Sequence, residues 1–75
     1  MERYSNLSGD SGVAGYEISA GSITVEFKDR AQYLYDSVRP GAAAVMELQR
    51  LARAGRGLNS YISRFVKKNY ARKIR

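Results

Sequence analysis

The chain contains no cysteine and no histidine, and these absences exclude several kinds of site. Without cysteine it can form no disulfide, no thiolate nucleophile and no zinc–sulfur centre. Without histidine it lacks the commonest metal ligand and the one side chain whose ordinary pKa lies near neutrality. A Ser-His-Asp or Cys-His enzyme is therefore excluded. The carboxylates are scattered, with only Glu26 and Asp29 near one turn, so we expect no enzymatic activity, no metal and no cofactor.

Long apolar runs are also missing from the sequence. No run approaches the roughly 18 residues that a membrane-spanning helix needs. The first residues lack the apolar stretch of a signal peptide, because Met1–Tyr4 leads directly into polar residues. We therefore expect a cytoplasmic location and no membrane partner. The 75 residues permit one small domain with a thin core.

Acidic residues are absent from the C-terminal part of the chain. Seven acidic and four basic residues lie up to Glu47, and nine basic residues with no acidic one follow it. The net charge of +6 is thus concentrated at one end. A segregated basic region is typical of a domain that meets nucleic acid or an acidic protein, although it can also be only a solvated helix face.

Alternating residues predict a three-stranded antiparallel meander that starts at Tyr16. Ile23, Val25 and Phe27 alternate with polar residues, which is typical of a half-buried strand. The preceding residues are rich in Ser, Gly, Asn and Asp. We therefore predict a flexible or loosely attached segment over residues 1–15 and a single α+β domain over residues 16–75.

The turn after Phe27 allows two registers. With a two-residue turn, Gln32 and Leu34 join the apolar face of the sheet; with a three-residue loop, Tyr33 and Tyr35 join it. The second register separates polar from apolar side chains better, and a slip of one residue reverses every side chain. The three-residue loop is favoured, although it requires a positive φ near Arg30, where glycine is usual.

Two helices are predicted to follow and to pack on one face of the sheet, in a two-layer domain. The first covers 42–54, with a core stripe of Val45, Leu48, Leu51 and Ala52, and Gly55 caps it. The second runs from about Asn59 to Tyr70 or beyond, with Asn59 or Ser60 as N-cap. Its apolar side includes Phe65, which we expect in the core, and Asn69 is the one polar residue on that side.

Several short motifs resemble the KTSC domain, a small bacterial and phage domain found at the C-terminus of some lysyl-tRNA synthetases. They are Ser5-Asn6-Leu7, Gly15-Tyr16-Glu17, Ile23-Thr24-Val25-Glu26-Phe27, Tyr33-Leu34-Tyr35 and Gly57-Leu58-Asn59-Ser60-Tyr61-Ile62. Two features depart from that family: the 8–14 segment is longer than its usual link, and Arg30 replaces its turn glycine. The family has no established activity, and the resemblance implies RNA binding only through the synthetase context.

Two candidate sites have a functional and a structural interpretation. Tyr33 and Tyr35 could stack on bases, or they could be core residues beneath the helices. Gly55-Arg56-Gly57 could contact a phosphate, or it could be only a turn between helices that needs glycine.

The basic face of the second predicted helix is the strongest functional candidate. Arg64, Lys67, Lys68, Arg72 and Arg75 follow helical spacing there, with Tyr61 and Tyr70 beside them. We therefore predict a non-enzymatic nucleic-acid-binding module, with RNA preferred over DNA. The predicted contacts are Arg56, Arg64, Lys67, Lys68, Arg72 and Arg75. The alternative is a phage or bacterial interaction module whose basic face binds an acidic protein. Either would be a monomer or a weak homodimer.

Overall fold

The computed structural model describes residues 1–7, 9 and 11–75 of the chain. They form one antiparallel five-stranded sheet in chain order, with helices packed on one face, which confirms the expected α+β class. The elements are β1 (Glu2–Arg3), β2 (Val13–Ser19), β3 (Ser22–Phe27), β4 (Gln32–Asp36), α1 (Ala42–Ala54), α2 (Leu58–Tyr61), a π-helical turn (Ile62–Val66) and β5 (Arg72–Lys73).

The three long strands, β2 to β4, form the predicted meander. Ile23 and Val25 of β3 are fully buried under the helices, whereas Thr24 and Glu26 lie half-buried on the other face. The period-two pattern therefore reports the burial of the sheet correctly. Two short edge strands extend the meander, and they were not predicted because two residues cannot display a period-two pattern.

The N-terminal segment joins the sheet and the core. Strand β1 pairs with β2, so that Glu2 lies opposite Tyr16. Tyr4 is buried, and its hydroxyl oxygen accepts a hydrogen bond from the backbone N–H of Leu58 at 3.3 Å. Val13, which belongs to the same predicted loose segment, is buried at the start of β2. Ser8 and Asp10 of that segment lie outside the described residues.

The turn after β3 is the three-residue loop that the polar–apolar pattern favours. Phe27 donates its backbone N–H to the carbonyl of Ala31 at 2.9 Å, and Val25 then pairs with Tyr33. Arg30 has the required positive φ, 73°. The Asp29 carboxylate accepts a hydrogen bond from the backbone N–H of Ala31 at 3.0 Å. A side chain of the loop thereby stabilises the loop.

Helix α1 follows its prediction closely. Val45, Leu48 and Ala52 are buried against the sheet, and Leu51 is half-buried. Gly55 ends the helix in the left-handed region at φ 77°, where glycine carries no steric penalty.

The prediction of one long second helix is wrong. Helix α2 begins at Leu58, with Gly57 rather than Asn59 or Ser60 at the N-cap position. The chain then widens into the π-helical turn, in which the N–H of Lys67 reaches the carbonyl of Ile62, five residues back. Lys67 has φ 53°, so the helical path ends at Val66.

The expectation that Phe65 lies in the core is also wrong, because its side chain is 72% exposed. An i→i+5 turn rotates the chain less per residue than an α-helix does. Ile62 and Val66 therefore stay on the buried face, while Phe65 lies outside it with its ring centre 5.2 Å from that of Tyr61.

Candidate functional site

The last residues of the chain return to the sheet instead of continuing a helix. Ala71 donates its N–H to the carbonyl of Leu34 at 2.8 Å, and Ile74 donates to the carbonyl of Gln32 at 2.7 Å. Strand β5 thereby runs antiparallel to β4, and Lys73 lies opposite Tyr33. This return brings the C-terminal basic residues to the edge of the sheet.

An aromatic cluster forms where the returning chain meets β4. The rings of Tyr33 and Tyr70 are 4.7 Å apart, and Phe27 meets Tyr33 edge-on at 5.7 Å. The Lys73 Nζ lies 5.8 Å from the centre of the Tyr33 ring, within the range of a cation–π contact. The cluster joins the end of β3, the start of β4 and the C-terminal segment.

The cluster borders a cavity of about 370 Å³, which we call the aromatic groove. It is lined by Phe27, Tyr33, Tyr35, Ile62, Lys67, Lys68, Tyr70 and Lys73. Three lysines and no carboxylate are among these residues. Within the described part of the chain the one ion pair joins Arg50 and Glu47, so the three ammonium groups are not neutralised by a described carboxylate.

A second cavity, of about 410 Å³, adjoins the groove. Phe27 and Tyr33 belong to both, and the second is otherwise lined by Gly12, Lys28, Asp29 and Ala31. The two cavities therefore share aromatic walls along one side of the molecule, and a ligand longer than one ring could occupy both.

The two tyrosines of the Tyr-x-Tyr motif have different surroundings. Tyr35 is 1% exposed and belongs to the core. Burial raises its pKa to about 12, and the neighbouring Tyr33 and Tyr70 add smaller effects in the same direction. Tyr33 is half-buried at the margin of the core. Of the pair, Tyr33 is the residue placed to meet a ligand in the groove.

The basic residues predicted as nucleic-acid contacts lie in four places rather than on one surface. Lys67 and Lys68 line the aromatic groove, whereas Arg56 and Arg64 line a different, polar cavity. Arg72 is paired with Leu34, one residue from Lys73, so strand alternation directs it to the other face of the sheet. Arg75 lies beyond β5, where its backbone bonds to Gln32. The single continuous basic stripe is therefore a wrong prediction.

The groove includes residues that sequence reasoning did not select as contacts. Helical spacing does not place Lys73 on the predicted basic stripe, and the period-two pattern assigns Phe27 only to the sheet. The sequence contains one indication that the long second helix does not form: a polar Asn69 interrupts its predicted apolar side. The chain leaves its helical path at Lys67, two residues before that position.

The groove offers aromatic surface and ammonium groups. Among the described residues no cluster of three or more Asp, Glu, His or Cys could hold a metal ion. None of the described helices is long and apolar enough to cross a bilayer. The arrangement in the groove can hold a flat ring and contact negative charge.

Comparison with protein-family models, with curated proteins and with solved structures finds no match to this chain. The resemblance to the KTSC domain thus stays a prediction from the motifs.

Proposed function

We propose that this chain is a small non-enzymatic nucleic-acid-binding module that takes unpaired RNA in preference to DNA, in the cytoplasm, and that the aromatic groove is its binding site. The observation that carries the proposal is the juxtaposition of aromatic rings with three lysines in a cavity whose described lining residues include no carboxylate. The proposed site differs from the predicted basic helix face, because its lining includes Lys73 and Tyr70 and does not include Arg72 or Arg75.

Stacking supplies the first part of the proposed recognition. Phe27, Tyr33 and Tyr70 are each half-buried, so each side chain is held by packing and keeps part of its surface exposed. Base–aromatic stacking contributes about 1–3 kcal/mol per base and tolerates any base, because every base has a flat face. The cavity volume of about 370 Å³ is in the range of small-ligand pockets.

Phosphate contacts supply the second part. Lys67 and Lys68 are exposed and lie at the rim of the groove, and Lys73 lies beside the Tyr33 ring. Three ammonium groups around one groove can neutralise phosphates of a strand whose base lies in the groove. Such contacts position the strand without reading its sequence.

The shape of the site favours unpaired strands over duplexes, and the motif resemblance to the KTSC domain favours RNA over DNA. A duplex hides the flat faces of its bases, whereas RNA loops and single strands expose them. Stacking in the groove requires an exposed face, so duplex DNA should bind only through its phosphates. The motif resemblance to the KTSC domain agrees with this choice.

A binding titration tests the proposal with labelled tRNA, a random single-stranded RNA and a DNA duplex, each at low and near-physiological salt. We expect the two RNAs to bind more tightly than the duplex. The Lys67→Gln/Lys68→Gln variant should lose two phosphate contacts. The slope of log affinity against log salt for the single strand should then fall by about 1.4, since each contact contributes about 0.7.

A matched control separates local contacts from net charge. The Arg39→Gln/Arg53→Gln variant has the same net charge, but its two substitutions lie in the loop after β4 and in the last turn of α1, outside the groove. Its salt slope should equal that of the wild type. An equal fall of the salt slope in both variants would show that net charge alone causes the change. Absence of RNA binding at low salt would overturn the proposal and favour an acidic protein as partner.

A further inference from the structure

A third cavity differs chemically from the aromatic groove, because it is lined by two arginines and several hydroxyl groups. It has a volume of about 520 Å³ and is lined by Ser11, Arg56, Gly57, Asn59, Ser60, Ser63 and Arg64. We call it the arginine–serine cavity. Its described lining residues include no carboxylate and no large apolar side chain. We propose that it binds a phosphate group.

Local geometry explains why these residues meet. Gly55 and Gly57 both have positive φ, so the chain turns sharply and presents Arg56 beside the start of α2. Ser60 and Ser63 are three residues apart on the following helical path, and Arg64 comes next. The two arginines thus approach the cavity from opposite ends of one short segment.

The chemistry of the lining matches a tetrahedral oxyanion. A guanidinium group donates two parallel N–H bonds to phosphate oxygens, and two guanidinium groups can neutralise a dianion. Arg56 and Arg64 are exposed, and no described carboxylate lies within ion-pair distance of either. Their donors are therefore not committed to another described charge.

Ser11 adds a fixed hydroxyl at the inner wall. Its side chain is buried, and its Oγ accepts the N–H of Val13 at 3.1 Å, while its own N–H donates to the Asn6 Oδ1 at 3.1 Å. These bonds hold the side chain in place and use only an acceptor position of the hydroxyl. Its hydrogen can still be donated to an anion in the cavity.

The phosphate could be a free ion or part of a nucleic-acid strand. Arg64 precedes Lys67 by three residues, and the π-helical turn separates the arginine–serine cavity from the aromatic groove. A strand with a base in the aromatic groove could place a neighbouring phosphate in the arginine–serine cavity. A strand as the source of the phosphate rests on the proposed function, whereas binding of a free phosphate ion does not.

The first experiment titrates the ¹⁵N-labelled full chain with inorganic phosphate at constant ionic strength. The amide signals of Gly57, Ser60 and Arg64 should shift and saturate. Arg56→Gln/Arg64→Gln should weaken binding by about tenfold or more, as expected for loss of charge-assisted hydrogen bonds. Arg56→Lys/Arg64→Lys keeps the charge but loses the bidentate geometry, so it should bind at intermediate strength.

The same-charge control Arg39→Gln/Arg53→Gln and the groove variant Lys67→Gln/Lys68→Gln should both bind phosphate as the wild type does. Shifts that do not saturate, or that chloride reproduces, would overturn the site. So would equal weakening in all the glutamine variants, because it would show only a general response to net charge.

Two RNA arms identify the source of the phosphate. One oligonucleotide carries a 5′-phosphate, and the other, of the same sequence, ends in a 5′-hydroxyl. If the wild type binds the 5′-phosphorylated oligonucleotide more tightly and Arg56→Gln/Arg64→Gln abolishes this preference, the site holds a terminal phosphate. If the variant loses the same affinity for both oligonucleotides, the site holds a backbone phosphate. Phosphate saturation without RNA binding would leave this site intact while overturning the proposed function of the groove.

Discussion

Tyr33 and Tyr35 of β4 point to the same face of the sheet yet have different environments. Tyr35 pairs with Ile23 in the middle of the sheet, under the helices, and is fully buried. Tyr33 pairs with Val25, closer to the open end, and is covered by Tyr70 and Lys73 from the C-terminal segment. A difference of two residues therefore separates a core tyrosine from a groove tyrosine.

The burial of Tyr35 predicts a loss of stability at high pH. Its pKa is raised from the ordinary 10.0 to about 12 in the folded chain, mainly because burial disfavours the phenolate. Below pH 10 the Tyr35 hydroxyl is neutral in the folded and in the unfolded chain, so its ionisation does not change the free energy of unfolding. Between pH 10 and about 12 the unfolded chain releases its proton while the folded chain keeps it, so the free energy of unfolding falls.

Urea unfolding at pH 9, 10, 11 and 12 measures this effect, with Tyr35→Phe as the control. The wild-type midpoint should decline more steeply above pH 10 than that of the variant, which has no proton to lose at this position. Parallel declines would contradict the raised pKa of Tyr35.

At the scale of elements, the π-helical turn decides which side chains face the core and where the helix ends. It keeps Leu58, Ile62 and Val66 on the buried side at intervals of four residues. It also ends at Val66, and the positive φ of the following Lys67 lets the chain return to β4. The turn thus shapes both the core and the lysine rim of the groove.

The π-helical turn predicts opposite costs for two neighbouring apolar residues. Phe65→Ser should change the free energy of unfolding by less than about 0.5 kcal/mol, because the side chain is exposed. Ile62→Ala should cost about 2–5 kcal/mol, because it leaves a cavity beneath the helix. Chemical denaturation of both variants measures the difference. A large cost for Phe65→Ser would show an ordinary α-helical register.

At the scale of the whole molecule, both ends of the chain complete the sheet. Strand β1 lies on the outside of β2, and β5 lies on the outside of β4, so the termini occupy the two edges. Gly15 is required at the first edge, because a Cβ there would lie 2.7 Å from the carbonyl oxygen of Glu2. Short paired edges leave little unpaired backbone for association with other strands.

The N-terminal residues should therefore contribute to global stability. Tyr4→Ala should lower the free energy of unfolding by about 3–5 kcal/mol, a large share of the roughly 4–11 kcal/mol expected for a chain of this size. Tyr4→Phe keeps the ring and loses only the acceptor for the Leu58 N–H, so it should cost about 1 kcal/mol.

Thermal unfolding followed by circular dichroism and by tyrosine fluorescence measures these costs. Both probes should report one lowered transition in Tyr4→Ala. An unchanged transition in that variant would mean that residues 1–15 are only loosely attached to the domain.

Much of the fold could be predicted because its signals are local. The alternation in β3 sets the buried face, the stripe of Val45, Leu48 and Ala52 sets the face of α1, and Gly55 marks its end. The hairpin register could also be predicted, because only one register places Tyr35 with Ile23 and Val25. In each case neighbouring residues carry the physical constraint.

The candidate site could be predicted only in part. The α+β class, the meander and the concentration of basic charge after Glu47 could be read from the order of the residues alone. The folded chain was needed to show that Tyr70 and Lys73 lie against Tyr33, that Arg72 faces elsewhere and that Arg56 and Arg64 line one cavity. The reason is that periodicity reports one element at a time, whereas a turn at Lys67 and the pairing of β5 with β4 depend on contacts between distant parts of the chain.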